Sequence, residues 1–179
     1  MNANTILDFW FKEIDRKKWF SKDKLFDQYL VEHFGELHHA ATMGELYSWR
    51  IDARGRLAEI IILDQFSRNI YRDNAQAFSN DALALCLAQE TVDQKLDGEL
   101  NPTEQAFLYM PYMHSESPVI HEEALRLFAA PGLENNYRFE RKHKEIIDKF
   151  GRYPHRNDIL GRESTSEEVS FLSNPGSSF

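Results

Sequence analysis

The segment Arg54–Arg72, RGRLAEIIILDQFSRNIYR, constrains the fold more than any other stretch of the chain. On a helix of about 3.6 residues per turn, Leu57, Ile60 and Ile61 share one face. Asp64 follows Ile60 by four and Ile61 by three, so its carboxylate falls on that apolar stripe. Arg68 comes four later, within reach of an ion pair. A helix that turns an acid and a base inward needs neighbours that receive them. Two readings stay open: a polar site, or a buried pair that only fixes helix register.

The remaining chain also carries helical spacing. Thr5 with Asp8 reads as a capping start for Ile6, Leu7, Phe9, Trp10 and Phe11. Ser21 is expected to cap a helix within Leu25–Leu46, where Phe26, Tyr29, Leu30, Phe34 and Leu37 recur at three and four. Asn80 or Asp81 starts a helix through Leu83, Leu85 and Leu87 toward Lys95. Asn101-Pro102 and Ser117-Pro118 are further starts, and Pro111 is expected to kink or end the first of those helices. A helix from about Asn135 to Phe150 places Phe139, Ile146, Ile147 and Phe150 together, with Gly151 as its stop. Thr165 and Glu168 form a capping-box pattern before Val169, Phe171 and Leu172, and SNPGSSF reads as a loose tail. No stretch alternates strictly, so no strands are expected. The architecture predicted is all-α, seven to eight short helices in antiparallel hairpins, forming a single domain over residues 1–179.

A chain of 179 residues can bury roughly 70% of its extended surface, enough for a full core. Lys and Arg number 21 against 29 Asp and Glu, and the net charge of −8 argues against a general nucleic-acid binder. One cysteine excludes an internal disulfide and a cysteine-rich zinc site; set in the apolar run LALCLAQE, Cys86 reads as a small core residue. No apolar run approaches the ~20 residues that span a bilayer, and the N-terminus has no secretory pattern. The expectation is a reduced, soluble, cytoplasmic protein with no membrane partner and no cofactor. Phosphate-loop, dinucleotide and G-x-S-x-G fingerprints are absent.

The same phase test finds further polar residues turned inward. His114 comes seven after Phe107, provided the helix survives Pro111, and His143 comes four after Phe139 and four before Ile147. The loop GRYPHRN adds Arg152, His155, Arg156 and Asn157. Between Tyr137 and Arg162, eight Lys and Arg stand against four Asp and Glu, a basic region in an acidic chain. Arginine forks suit carboxylates or phosphates held bidentately. The candidate ligand-binding residues are Asp64, Arg68, Arg72, Glu116, Arg152, Arg156 and Asn157. His114, His143 and His155 are the candidate proton donors or acceptors. No metal is expected: His114 and Glu116, two apart, do not face together on a helix, and there is no H-E-x-x-H. The plainer readings are a hydrogen-bonded core role for His143, loop arginines that tie off helix carbonyls, and a solvated face for His38-His39.

LDFWF, LDQFSRNIYRD, AFLYMPYMHSE, HKEIIDKFGRYPHRNDILGRESTSEEVSFL and the closing PGSSF resemble the DUF924 family of bacterial and eukaryotic proteins. The resemblance spans almost the whole chain. It implies an all-helical, tetratricopeptide-repeat-like fold and no particular activity. By motif, Asp64, Gln65, Arg68, Asn69 and Arg72 match its first signature and His114 to Glu116 its second. Gly151 to Asn157, with Gly161 and Arg162, match its third. Two functional readings follow. One is a pocket for a small phosphate- or carboxylate-bearing ligand, with histidine available for hydrolytic or transfer chemistry. The other is a helical scaffold that takes a peptide or protein partner in a groove. Clustered polar signatures favour the pocket.

Overall fold

A computed structural model describes residues 1–177; the last two residues of the SNPGSSF tail, Ser178 and Phe179, lie outside the described residues. Among the described residues the chain is helical, with short 3-10 and π-helical turns between α-helices, and has no strand. Helix α1 (Ala3–Asp8) begins at Asn2, whose side chain accepts from the Thr5 amide, three residues before the expected cap. It runs into a π-helical turn, Phe9–Glu13, that buries Phe9 and Trp10. Trp10 sits among Trp19, Phe26, Phe66 and Phe107, with ring centroids 5.6–6.5 Å away.

Helix α2 (Lys24–Thr42) is capped by Asp23 and not by Ser21. The carboxylate accepts from the Leu25 and Phe26 amides and also suits the positive end of the helix dipole. Its inner face is Phe26, Leu30, Phe34, His38 and Ala41. The expected solvated His38-His39 face is therefore split. His39 is exposed, but His38, four after Phe34, is buried and donates from Nε2 to Ser67 Oγ at 2.8 Å.

Helix α3 (Ala53–Ile61) starts from Asp52, whose carboxylate accepts from Gly55 N at 2.7 Å. Residues 55–67 are all buried, so this segment is enclosed on every side instead of on one stripe. It packs against α1, against α5 (Asp81–Asp93) and against α6 (Pro102–Met113). Glu59 rides inside with it, fully buried and held by both arms of Arg50 at 2.6 and 2.7 Å.

In α5 the inner face is Ala84, Leu87, Ala88 and Thr91. Cys86 is exposed, against expectation: two residues past Ala84 is about 200° around the helix, so a hydrophobic neighbourhood in sequence does not put it inside. Helix α6 carries the full capping box, Asn101 with Glu104, and Pro102 in its first turn. Pro111 does not end it. The proline withholds only its own N–H, and the helix continues to Met113, with the His114 amide bonded to Met110 O at 2.9 Å.

Helices α7 (Pro118–Phe128) and α8 (Glu134–Phe150) continue the pattern, each helix packing on the one before. Gly151 closes α8 at φ 67°, where a side chain would be strained. The inward arc of α8 runs Glu140, His143, Ile146 and Ile147, which leaves the expected core residue Phe139 exposed at its edge. Helix α9 (Ser166–Leu172) has the Thr165–Glu168 capping box and buries Glu168, while Val169 is exposed. Ile146, Ile147 and Tyr153, with Phe150 and Phe171, form a small second core beneath the loop that follows α8. No described helix is long and apolar enough to cross a membrane.

Candidate functional site

After Ile61 the backbone makes a π-helical turn, Ile62–Phe66, and re-enters α-geometry as α4 (Ser67–Ile70). One extra residue per turn shifts the phase of everything after it, and such turns concentrate where side chains have been re-aimed for function. Asp64 lies in this turn, 1% exposed. Arg68 NH1 sits 2.8 Å from its Oδ1 and also donates to its backbone oxygen at 2.9 Å. His114, at the end of α6, brings Nδ1 to the same Oδ1 at 2.7 Å, and the Gln65 amide donates to the other carboxylate oxygen.

Asp81, the first residue of α5, extends the cluster, with Oδ1 3.0 Å and Oδ2 3.1 Å from the Arg68 guanidinium. Its Oδ2 also accepts from Arg156 NH1 at 3.3 Å, across 75 residues of sequence. The Arg156 guanidinium is sandwiched between the Phe78 and Tyr153 rings, 4.6 Å from each centroid. Two carboxylates and two guanidiniums thus meet from three separate segments and balance in charge.

The imidazoles around them add no charge near neutrality. Burial and the adjacent Arg68 hold His114 below its usual range. Burial pushes His143 down to about 3, despite its bond to Phe139 O, and burial with Arg156 pushes His155 down to about 4. For Asp64, burial favours the neutral acid, but Arg68 and His114 outweigh it and keep the carboxyl well below the usual carboxylate range. A neutral imidazole oriented by an ionised carboxylate is equipped to accept a proton or hydrogen bond at its other nitrogen.

Acid should therefore destabilise the fold through these histidines. The unfolded chain takes up protons near pH 6.5, whereas folded His143 and His155 resist until about 3 and 4. Their contribution is fully present above about pH 6.5 and is lost as pH falls toward the folded values. Tm is expected to drop between about pH 7 and pH 5, and His143→Gln should flatten that drop. An unchanged slope in differential scanning calorimetry would remove His143 from this account.

The structure brings together Asp64, Arg68, His114 and Arg156, with His143 and His155 against Tyr153 at centroid separations of 5.8 and 5.5 Å. Glu116 is adjacent. It accepts from the Tyr153 amide at 2.7 Å and from both arms of Arg162 at 2.6 and 2.9 Å. Arg152 lies elsewhere: it grips Glu168 with two bonds, 2.7 and 2.8 Å, and ties α9 to the end of α8. Arg72 is likewise engaged with Asp27 of α2 at 2.6 and 2.7 Å. Asn157 bonds Ser164 at 3.0 Å.

Asp81, Phe78 and Tyr153 were not among the expected members. Asp81 reads locally as a helix start, and Tyr153, although inside the GRYPHRN loop, carries no charge that marks it as a member. Among the described residues no three or more His, Cys, Asp or Glu side chains are grouped to hold a metal. Two open surface grooves, about 640 and 430 Å³, are lined by other residues, such as Tyr112 and Glu123 in one and Phe26 and Tyr29 in the other. Groove volume therefore points away from the cluster, whereas buried charge and convergent polar groups point to it. The cluster is the candidate site, because a few convergent, buried polar groups are what orients a small ligand.

The family model for bacterial proteins of unknown function, DUF924, matches residues 6–176. A solved structure of a protein of unknown function from Agrobacterium tumefaciens is 36% identical, covers 96% of this chain and 96% of its own, and superimposes with a TM-score of 0.90. No curated protein matches the chain. The family match over nearly the whole chain bears out the resemblance carried by the three signatures, and the chain belongs to the DUF924 family.

Proposed function

We propose that the chain binds a small oxyanion, phosphate- or carboxylate-bearing, beside Arg68, Arg156 and His114. The observation that carries this reading is the state of Arg156. It is 6% exposed, and among the described residues its one hydrogen bond is the 3.3 Å contact to Asp81 and its buried Nε has no acceptor. A guanidinium has five N–H donors in a fixed plane, and buried donors are normally paired. Leaving one unpaired costs about 1–3 kcal/mol. The Phe78 and Tyr153 rings cover the faces of that plane, so new acceptors must come in at its edge, the direction a bidentate oxyanion requires.

The test is thermal unfolding at constant ionic strength with inorganic phosphate, sulfate or glycolate, against chloride. At about 100 times Kd a ligand should add about 2.7 kcal/mol, a rise of roughly 5–10 °C for a chain of this size. Arg156→Lys keeps the charge but loses the fork and should lose most of the shift. If none of the three anions raises Tm above chloride, or Arg156→Lys responds like the parent, the reading is wrong.

A further inference from the structure

The ring of His114 carries information about the ligand itself, given the anion-binding reading above. Asp64 Oδ1 accepts from His114 Nδ1 at 2.7 Å and lies 2.8 Å from Arg68 NH1, while Gln65 occupies the second oxygen. A carboxylate held by an arginine and an amide can only accept, so Nδ1 carries the ring proton. In a neutral imidazole the other nitrogen then has a lone pair and no proton. Burial and Arg68 disfavour a second proton on the ring.

At two other buried histidines Nε2 is already paired with a protein oxygen. His38 Nε2 meets Ser67, and His121 Nε2 meets the Ser115 carbonyl at 2.8 Å while its Nδ1 meets Glu140 at 2.6 Å. At His114, among the described residues, no group hydrogen-bonds to Nε2, and 17% of the side chain is open to solvent. Arg68 and His114 share one carboxylate oxygen, so this acceptor stands next to the cationic edge at which an anion docks.

We propose that the bound anion carries a hydroxyl proton of its own and donates it to His114 Nε2, which selects hydrogen phosphate or a 2-hydroxy carboxylate over fully deprotonated oxyanions. Near neutral pH inorganic phosphate always retains at least one proton, whereas sulfate retains none. A phosphate monoester has lost its second proton by then and falls on the disfavoured side. Glycolate and acetate differ in the same way, by one hydroxyl. An anion without the proton sets its lone pairs against that of Nε2 and leaves a desolvated acceptor unpaired, the situation in which sites discriminate most strongly.

Isothermal titration calorimetry of the full chain at about pH 7.5 with phosphate, sulfate, glycolate and acetate tests this. Phosphate should bind at least roughly tenfold tighter than sulfate, or glycolate than acetate, and the preferred pair identifies the source of the hydroxyl. In His114→Asn the amide still donates to Asp64 but nothing replaces Nε2. There the preference should collapse to within about threefold. Equal binding of both members of each pair by the parent overturns the inference and leaves the anion site standing; this arm needs no variant to fold. A preference that survives in His114→Asn also overturns it. Binding of none of the four removes the anion reading and the inference together.

Discussion

Gly55→Ala is expected to destroy the native fold, or to cost more than about 4 kcal/mol. Helix propensity alone forecasts the reverse, a gain of about 1 kcal/mol from alanine inside a helix. The structure decides against propensity, because a Cβ on Gly55 would lie 1.8 Å from the Trp49 carbonyl oxygen and 2.8 Å from its carbon. Both atoms are backbone, and that backbone cannot yield cheaply. Trp49 belongs to a 3-10 turn, Tyr47–Trp49, whose next residue, Arg50, neutralises the fully buried Glu59 of α3. Moving the turn away from α3 pulls Arg50 off Glu59, and an unpaired buried carboxylate costs about 3–5 kcal/mol by itself. Circular-dichroism melting gives the answer. Since 1 kcal/mol is roughly 2–4 °C here, a Gly55→Ala protein melting within about 3 °C of the parent would refute the close approach.

What could be read ahead of the structure divides along a physical line. Asn101 with Glu104, Thr165 with Glu168, Pro102 and Gly151 act through backbone groups within a turn of themselves, so their consequences were legible. His38 and Cys86 were misread because their sidedness depends on the phase of a whole helix and not on their neighbours' polarity. Around the site the limit was different. An arginine in a signature declares that it needs an acceptor, but not which one. Arg68 and Arg156 found Asp81, while Arg72 and Arg152 found Asp27 and Glu168. Asp64 and Arg68 still met although a π-helical turn broke the count between them, because a long arginine chain tolerates the shift. His114 depended on Pro111 not ending α6, which its local chemistry left undecided.

Asp64→Ala is expected to move stability and anion affinity in opposite directions. Removing the carboxylate leaves Arg68 with Asp81 and a backbone oxygen, and His114 Nδ1 without an acceptor, at a cost of about 3–5 kcal/mol, or a Tm lower by roughly 6–20 °C. The stability lost is the part that depends on ionised Asp64. Its folded pKa is held below the unfolded value, so in the parent this contribution is present above about pH 4 and fades as acid protonates the group. The variant should therefore lose less on going from about pH 5 to pH 3 than the parent does. Meanwhile the cluster gains a net positive charge in a poorly solvated place, and sulfate should bind roughly tenfold tighter. Freed from Asp64, the His114 ring can also place its proton on Nε2, so the preference for phosphate over sulfate should shrink. If Asp64 and Arg68 were only a register lock, Tm would fall with no gain in sulfate affinity. Measuring both quantities on the same variant separates the lock from the site, because only a site links them with opposite sign.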